Sequence, residues 1–171
     1  MRFIKLAGIS IILLFLVMTA ISALLPSIIH LSRAIDINAP FDTVYSTIND
    51  VSRWKNWYAD YDTSQAAVSA KTTGKGASVT MYKTTVTITE TSADKIEAVW
   101  HSGNNTPLEG EFNMIKQDSA LLTTVQWKLV HHVKWYPWAK FASILSDKAA
   151  GPVMEKSLDN LKAMLEKPVD Y

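Results

Sequence analysis

The chain predicts an α+β domain: a seven-stranded antiparallel sheet curled around one long C-terminal helix, behind an apolar N-terminal helix. Three observations carry this prediction. Leu6 to Leu25 form a run without a charged side chain, bracketed by Arg2 and Lys5 before it and Arg33 after it. The middle of the chain alternates apolar and polar residues in short stretches divided by turn residues, the pattern of half-buried strands. Near the end Met154, Leu158, Leu161 and Leu165 recur at helical spacing and make one apolar stripe.

The N-terminal run comes first. At a helical rise of about 1.5 Å per residue, about 20 residues cover about 30 Å, the thickness of a bilayer's hydrocarbon core. Residues 1–28 are therefore expected to anchor the chain in a membrane and 29–171 to form one domain beside it. A cleaved secretory signal is the alternative, with Ala20-Ile21-Ser22 as a passable cleavage site, although a signal's apolar region is usually shorter. Both readings export the domain. Arg2 and Lys5 ahead of the run favour a cytoplasmic N-terminus and an extracytoplasmic domain.

Composition then excludes several classes of function. The net charge is +1, but residues 1–33 hold three of the 17 basic residues and none of the 16 acidic ones. The remainder carries 14 basic against 16 acidic residues, a net −2. That balance offers no electrostatic footprint for nucleic acid. There is no cysteine, hence no disulfide, thiol nucleophile or thiolate metal site.

From Ile29 onward Ile29, Leu31, Ile35 and Ile37 share one face of a strand, and by parity Arg33 falls on it too. Asn38-Ala39-Pro40 stops that strand and opens a helix carrying Val44, Ile48 and Val51. A second short helical piece, Val51 to Tyr58, bears Trp54 and Trp57. Six strands follow: Ala66–Lys71, Ala77–Lys83, Thr85–Thr91, Ile96–His101, Leu108–Lys116 and Leu121 to about Val133. The turn Gln117-Asp118-Ser119 precedes the last. Trp138 to Lys148 reads as a first C-terminal helical segment. Gly151-Pro152 then marks a boundary, because the residue before proline is pushed out of the α region. The Met154 stripe lies on the helix beyond it, ending at Lys167-Pro168.

Several of these segments resemble a known family. Ser32 to Pro40 followed by Val44, Asn49 to Trp57, Gly74-Lys75-Gly76-Ala77, Thr124 to Trp127, and Gly151 to Lys162 are similar in order and spacing to the polyketide cyclase/dehydrase-like branch of the START-related SRPBCC superfamily. The resemblance covers nearly all of residues 30–166. It implies a helix-grip fold with a cavity between sheet and helix, and a hydrophobic ligand there. Some relatives cyclise or dehydrate polyketides. Ser157 stands where family members often carry glycine, and the branch offers no shared catalytic residue to transfer.

Parity selects the candidate site. Met81, Trp100, Phe112, Met114 and Trp127 fall on inward faces, opposite Met154 and Leu158 of the closing helix. His131 shares the parity of Trp127 and Leu129 and faces the expected cavity, while His132 faces water. Adjacent strand residues point oppositely, so the two histidines do not share a metal. Arg33 needs an anionic partner, either a ligand carboxylate or phosphate or an internal acid. Glu109 and Glu111 lie on the solvent parity, so no acid–base pair is expected. Asp60 and Asp62 beside Tyr58 and Tyr61 fit a polar loop at the cavity mouth rather than a calcium loop, which needs denser ligands. Asn104-Asn105-Thr106 is a glycosylation triplet followed by Pro107. There is no nucleophile elbow and no phosphate-cradling glycine motif, and no cofactor or metal is expected.

The sequence therefore points to a membrane-anchored domain that binds an apolar or amphipathic small molecule without catalysis. The expected ligand contacts are Arg33, Met81, Trp100, Phe112, Met114, Trp127, His131, Met154 and Leu158. The alternatives are a cyclase/dehydrase-type enzyme using Arg33 and His131 to polarise a carbonyl, and a protein-interaction module with a packed interior.

Overall fold

The structure, a computed structural model, describes residues 2–103, 106–117 and 121–166. Asn104, Asn105, the Asp118-Ser119 turn and the Lys167-Pro168 helix end lie outside the described residues.

Helix α1 (Arg2–Ala23) leads into strand β1 (Ile28–Ile37), helix α2 (Phe41–Asn49) and a short 3₁₀ helix (Val51–Asn56). Strands β2 (Ala67–Val68), β3 (Ser78–Met81), β4 (Thr84–Thr91), β5 (Lys95–Ser102), β6 (Leu108–Lys116) and β7 (Thr123–His132) follow, then helices α3 (Pro137–Ser143) and α4 (Ser146–Leu165). The strands form one sheet in the order β1-β7-β6-β5-β4-β3-β2, every pair antiparallel. Local hairpins build six of the seven strands, and β1 returns to close on β7. The sheet grips α4, which packs most closely on β1. This is the helix-grip architecture.

The inward face follows the alternation of the sequence. In β7, Thr123, Val125, Trp127 and Leu129 are buried while Thr124, Gln126 and Lys128 reach toward solvent. From α4, Met154, Leu158 and Leu161 are fully buried against that face. Glu111, on the outer face, sits among Lys95, Lys128 and Asn113.

Register divides the sheet into two ends. At one end Ile28 faces His132, Leu108 faces His131, Thr84 faces Ser102 and Met81 faces Thr84. This is the end at which α1 joins β1. At the other, α2 covers the interior. Tyr45 Oη donates to the Ser92 carbonyl at 2.9 Å, and Thr123 Oγ1 donates to the Ala39 carbonyl at 3.0 Å.

Three sequence expectations are corrected. The strand expected over Ala66–Lys71 forms only at Ala67–Val68, and the helical segment expected over Trp138 to Lys148 breaks after Ser143, its last residues belonging to α4. Gly151-Pro152 is not a helix boundary, because α4 runs unbroken from Ser146 to Leu165 with Pro152 inside it. The helix starts earlier than expected, at Ser146, so Pro152 lies in its second turn. There the missing N–H forfeits one bond, to the Lys148 carbonyl, and packing on the sheet outweighs that loss. Gly151 lies close under Arg33: a Cβ there would stand 2.8 Å from a guanidinium nitrogen, so a larger residue would make the end of that side chain shift.

Helix α1 has the length and apolarity that membrane spans and signal sequences share, with a mean hydropathy of 2.5 over Phe3–Ala23. Among its described residues only Ser22 is buried.

Candidate functional site

The interior is filled unequally along the sheet. Toward the α2 side, Trp54, Trp57, Tyr58, Trp100, Phe112 and Trp127 pack as one aromatic cluster, with Phe112 and Trp127 stacked at 4.9 Å and Trp100 and Trp127 at 5.8 Å. The 3₁₀ helix inserts the first two tryptophans. Trp54 is fixed by donating to the Ile48 carbonyl at 2.9 Å. Ser157 of α4 ties the following loop down, accepting from the Ala59 amide at 2.9 Å and donating to the Val153 carbonyl at 2.6 Å. A serine at this position is thus a cross-link between helix and loop.

At the α1 end the packing opens into a cavity of about 520 Å³. Its floor is the outer surface of the aromatic cluster, Tyr58, Trp100 and Trp127. Leu129, His131 and Val133 line one side, and Ala150, Val153 and Met154 of α4 line another, with α3 at the rim. The volume lies within the range of small-molecule sites, and the wall combines the aromatic and aliphatic surface with polar side chains, Asp60, Thr84, Ser102, Thr106, Lys134, Ser143 and Ser146 among them. A smaller adjoining space of about 340 Å³ lies between Tyr58, Asp60, Asp62, Met81, Tyr82 and Thr84.

Gly110 sets the position of one wall. A Cβ there would fall 2.1 Å from the Trp100 ring and 3.0 Å from Leu129, so the indole lies flat across a strand residue that has no side chain. Trp100 Nε1 in turn donates to Tyr58 Oη at 3.2 Å. Burial pushes the Tyr58 phenol up to about 12, so it stays a neutral hydrogen-bonding group. The indole N–H of Trp127 is buried without a hydrogen-bond partner among the described residues, as is that of Trp57. Such an orphaned donor costs about 1–3 kcal/mol. His131 reaches the cavity from the end of β7, its Nδ1 3.5 Å from Ser146 Oγ. Desolvation, and then the neighbouring His132, pull its pKa below the ordinary 6.5. The imidazole is neutral at pH 7 and can donate and accept at once.

The residues singled out in the sequence divide into three groups. Trp100, Trp127, His131 and Met154 line the main cavity, and Met81 lines the adjoining space. Phe112, Met114 and Leu158 are buried in the core and reach neither space. Arg33 lies on the inward side of β1 but away from the cavity. Its Nε donates to Glu155 at 2.6 Å and its Nη2 to Asp147 at 2.9 Å, both acids on α4. Its partners are internal acids, the second of the two alternatives open from sequence. His132 faces outward, 3.8 Å from Glu109.

Sequence reasoning placed Tyr58 and Asp60 at the cavity mouth, where both line the main cavity, but left Leu129, Val153 and the α3 wall out of the site. Leu129 and Val153 were legible from parity and helical spacing, as neighbours of residues that were chosen. Gly110, a glycine on an inward strand parity, was the unused signal for a close approach. Among the described residues, no three His, Asp or Glu side chains are grouped to hold a metal.

Comparison with known proteins follows this geometry. Solved structures with the same fold include CalU16 from Micromonospora echinospora, with a TM-score of 0.58 and 14% identity over 82% of this chain and 77% of that one. A START superfamily protein from Mycobacterium smegmatis has a TM-score of 0.59 and 17% identity over 80% and 97%. A protein from Nitrosospira multiformis has a TM-score of 0.62 and 12% identity over 81% and 97%. At these identities the likeness shows the fold. No curated protein matches the chain in sequence. A family model described as polyketide cyclase / dehydrase and lipid transport matches residues 29–166, from the first strand to the end of the closing helix. Sheet, gripped helix and sequence match agree, and the chain belongs to that family.

Proposed function

We propose that this protein is a membrane-anchored binding domain, residues 29–171 held at a bilayer by residues 1–28, which binds an apolar or amphipathic small molecule in its internal cavity without catalysis. The family and fold support a ligand-binding or cyclase-type role. The observation that carries the binding reading is the cavity of about 520 Å³, with aromatic and aliphatic walls from β5, β7 and α4. Trp100, Trp127, Leu129, Val153 and Met154 would supply apolar contact. His131 and Ser146 would meet a polar end of the ligand. Arg33 is committed to Asp147 and Glu155, which makes it a brace between β1 and α4 rather than a ligand contact.

The test is binding of a fluorescent fatty-acid analogue to the full chain held in amphipol. Saturable binding is expected in the wild type, with a several-fold loss in Val153→Trp, whose indole would occupy the cavity. Absence of saturable binding, or binding indifferent to Val153→Trp, would overturn the reading.

A further inference from the structure

Helix α3 has its polarity inverted relative to a helix in water. Lys140 and Ser143 are buried while Trp138 is 65% exposed. The exposed residues continue past the helix on both sides: Trp135 before it, Ile144 and Leu145 after it. Trp138 and Ala142, four residues apart, share the outward side of α3, and Ile144 and Leu145 in the turn that follows are exposed too, so the four make one outward apolar stripe. Trp135 and Trp138 each pack on Tyr136, at 6.3 Å and 4.8 Å. Burying a lysine while showing two tryptophans to solvent is costly unless the outer medium is not water.

The position of α3 says what that medium is. The buried Lys140 Nζ donates to the Leu25 carbonyl at 2.8 Å and to Ser27 Oγ at 2.7 Å, the link between α1 and β1. The Val133 amide donates to the Ser27 carbonyl at 2.8 Å. Helix α1 touches α3, and the one buried residue of α1, Ser22, is in its last turn. The stripe is thus continuous with the C-terminal end of the apolar helix. Tryptophan, tyrosine and a flanking Lys134 are the residues that favour the headgroup layer. Ala142 belongs both to the exposed stripe and to the cavity rim.

We infer that α3 and its flanks, Trp135 to Leu145, lie in the interfacial layer of the bilayer that holds α1, so that the cavity mouth opens onto the membrane and its ligand enters from the lipid phase. This rests on the anchoring reading above, and the experiment separates the two.

The chain has no cysteine, so single-cysteine variants can each be labelled with one fluorophore. The full-length Met18→Cys, Trp138→Cys, Leu145→Cys and Ile115→Cys variants are reconstituted in vesicles of phosphatidylcholine and phosphatidylglycerol in equal parts, with nitroxide-bearing lipids as quenchers. Ile115 is exposed at the far end of the sheet and serves as the distant control. The inference predicts quenching at Trp138 and Leu145 several-fold above that at Ile115, strongest with headgroup-proximal nitroxides, and quenching at Met18 by deep ones. Quenching at Met18 alone overturns the inference and leaves the anchor standing. Absence of quenching at Met18 overturns both. A label at Trp138 that is shielded from water but untouched by lipid nitroxides means that protein, such as a second copy of this chain, covers the stripe, and also overturns it.

Discussion

His131 is kept neutral by its surroundings, and the sign of that effect is measurable. Burial and the adjacent His132 lower its pKa from 6.5 in the folded protein. The unfolded chain then binds more protons than the folded one just below pH 6.5, so stability is full above that pH and falls as acid carries the solution through the folded pKa. The depressed carboxyls of Asp62 and Glu111 act in the same direction, but starting from ordinary values of 3.8 and 4.5. Thermal unfolding between pH 7 and pH 5 should therefore show a loss that His131→Gln removes, and the imidazole should titrate below 6.5 by NMR. An unchanged slope in the variant would place the effect elsewhere. The inward direction of His131 was legible from strand parity alone. The fate of Arg33 was not: parity gives the face, but its choice between ligand and acid depends on how α4 lies across β1. The serine at 157 was equally opaque, since its partner, the Ala59 amide, is distant in sequence.

Among the elements, α4 decides whether the core forms. Its stripe was read from sequence as Met154, Leu158, Leu161 and Leu165. The first three are fully buried, and Leu165 packs at the edge of the core. Leu158→Asp would leave an unpaired charge where the side chain is 2% exposed. It should destabilise the domain by roughly 3–5 kcal/mol, the range for an uncompensated buried charge. Glu155→Ala removes a solvent-exposed partner of Arg33 and should be mild, since Asp147 remains. Chemical denaturation of the two variants compares them directly, and equal midpoint shifts would contradict the assigned face. Strand identity was legible throughout because local hairpins leave the period-two pattern intact. The Gly151-Pro152 boundary was misread because helix signals are local, whereas α4 is held across its proline by contact with the sheet. The inverted polarity of α3 was invisible in sequence: a lysine amid aromatics looks amphipathic until its partner, the Leu25 carbonyl, is seen.

For the molecule as a whole, the sequence pattern specified an inward-facing apolar surface but not how much of it packs solid. The six-ring cluster between the 3₁₀ helix and β5–β7 closes one part of the interior and leaves the α1 end open. Phe112, Met114 and Leu158 consequently belong to the core, while Trp100 and Trp127 form the boundary between core and cavity. Parity cannot draw that boundary, because it depends on how deeply Trp54 and Trp57 are driven under the sheet. The cavity opens at the same end as the apolar helix, so the proposed binding and anchoring would share one pole of the protein. The measurement closest to this account is native mass spectrometry of the full chain extracted from membranes, beside Val153→Trp prepared identically. The account predicts a wild-type population carrying one lipid-sized mass, released on collisional activation and absent from the variant. A bare chain in both preparations, or the same adduct in both, would contradict it.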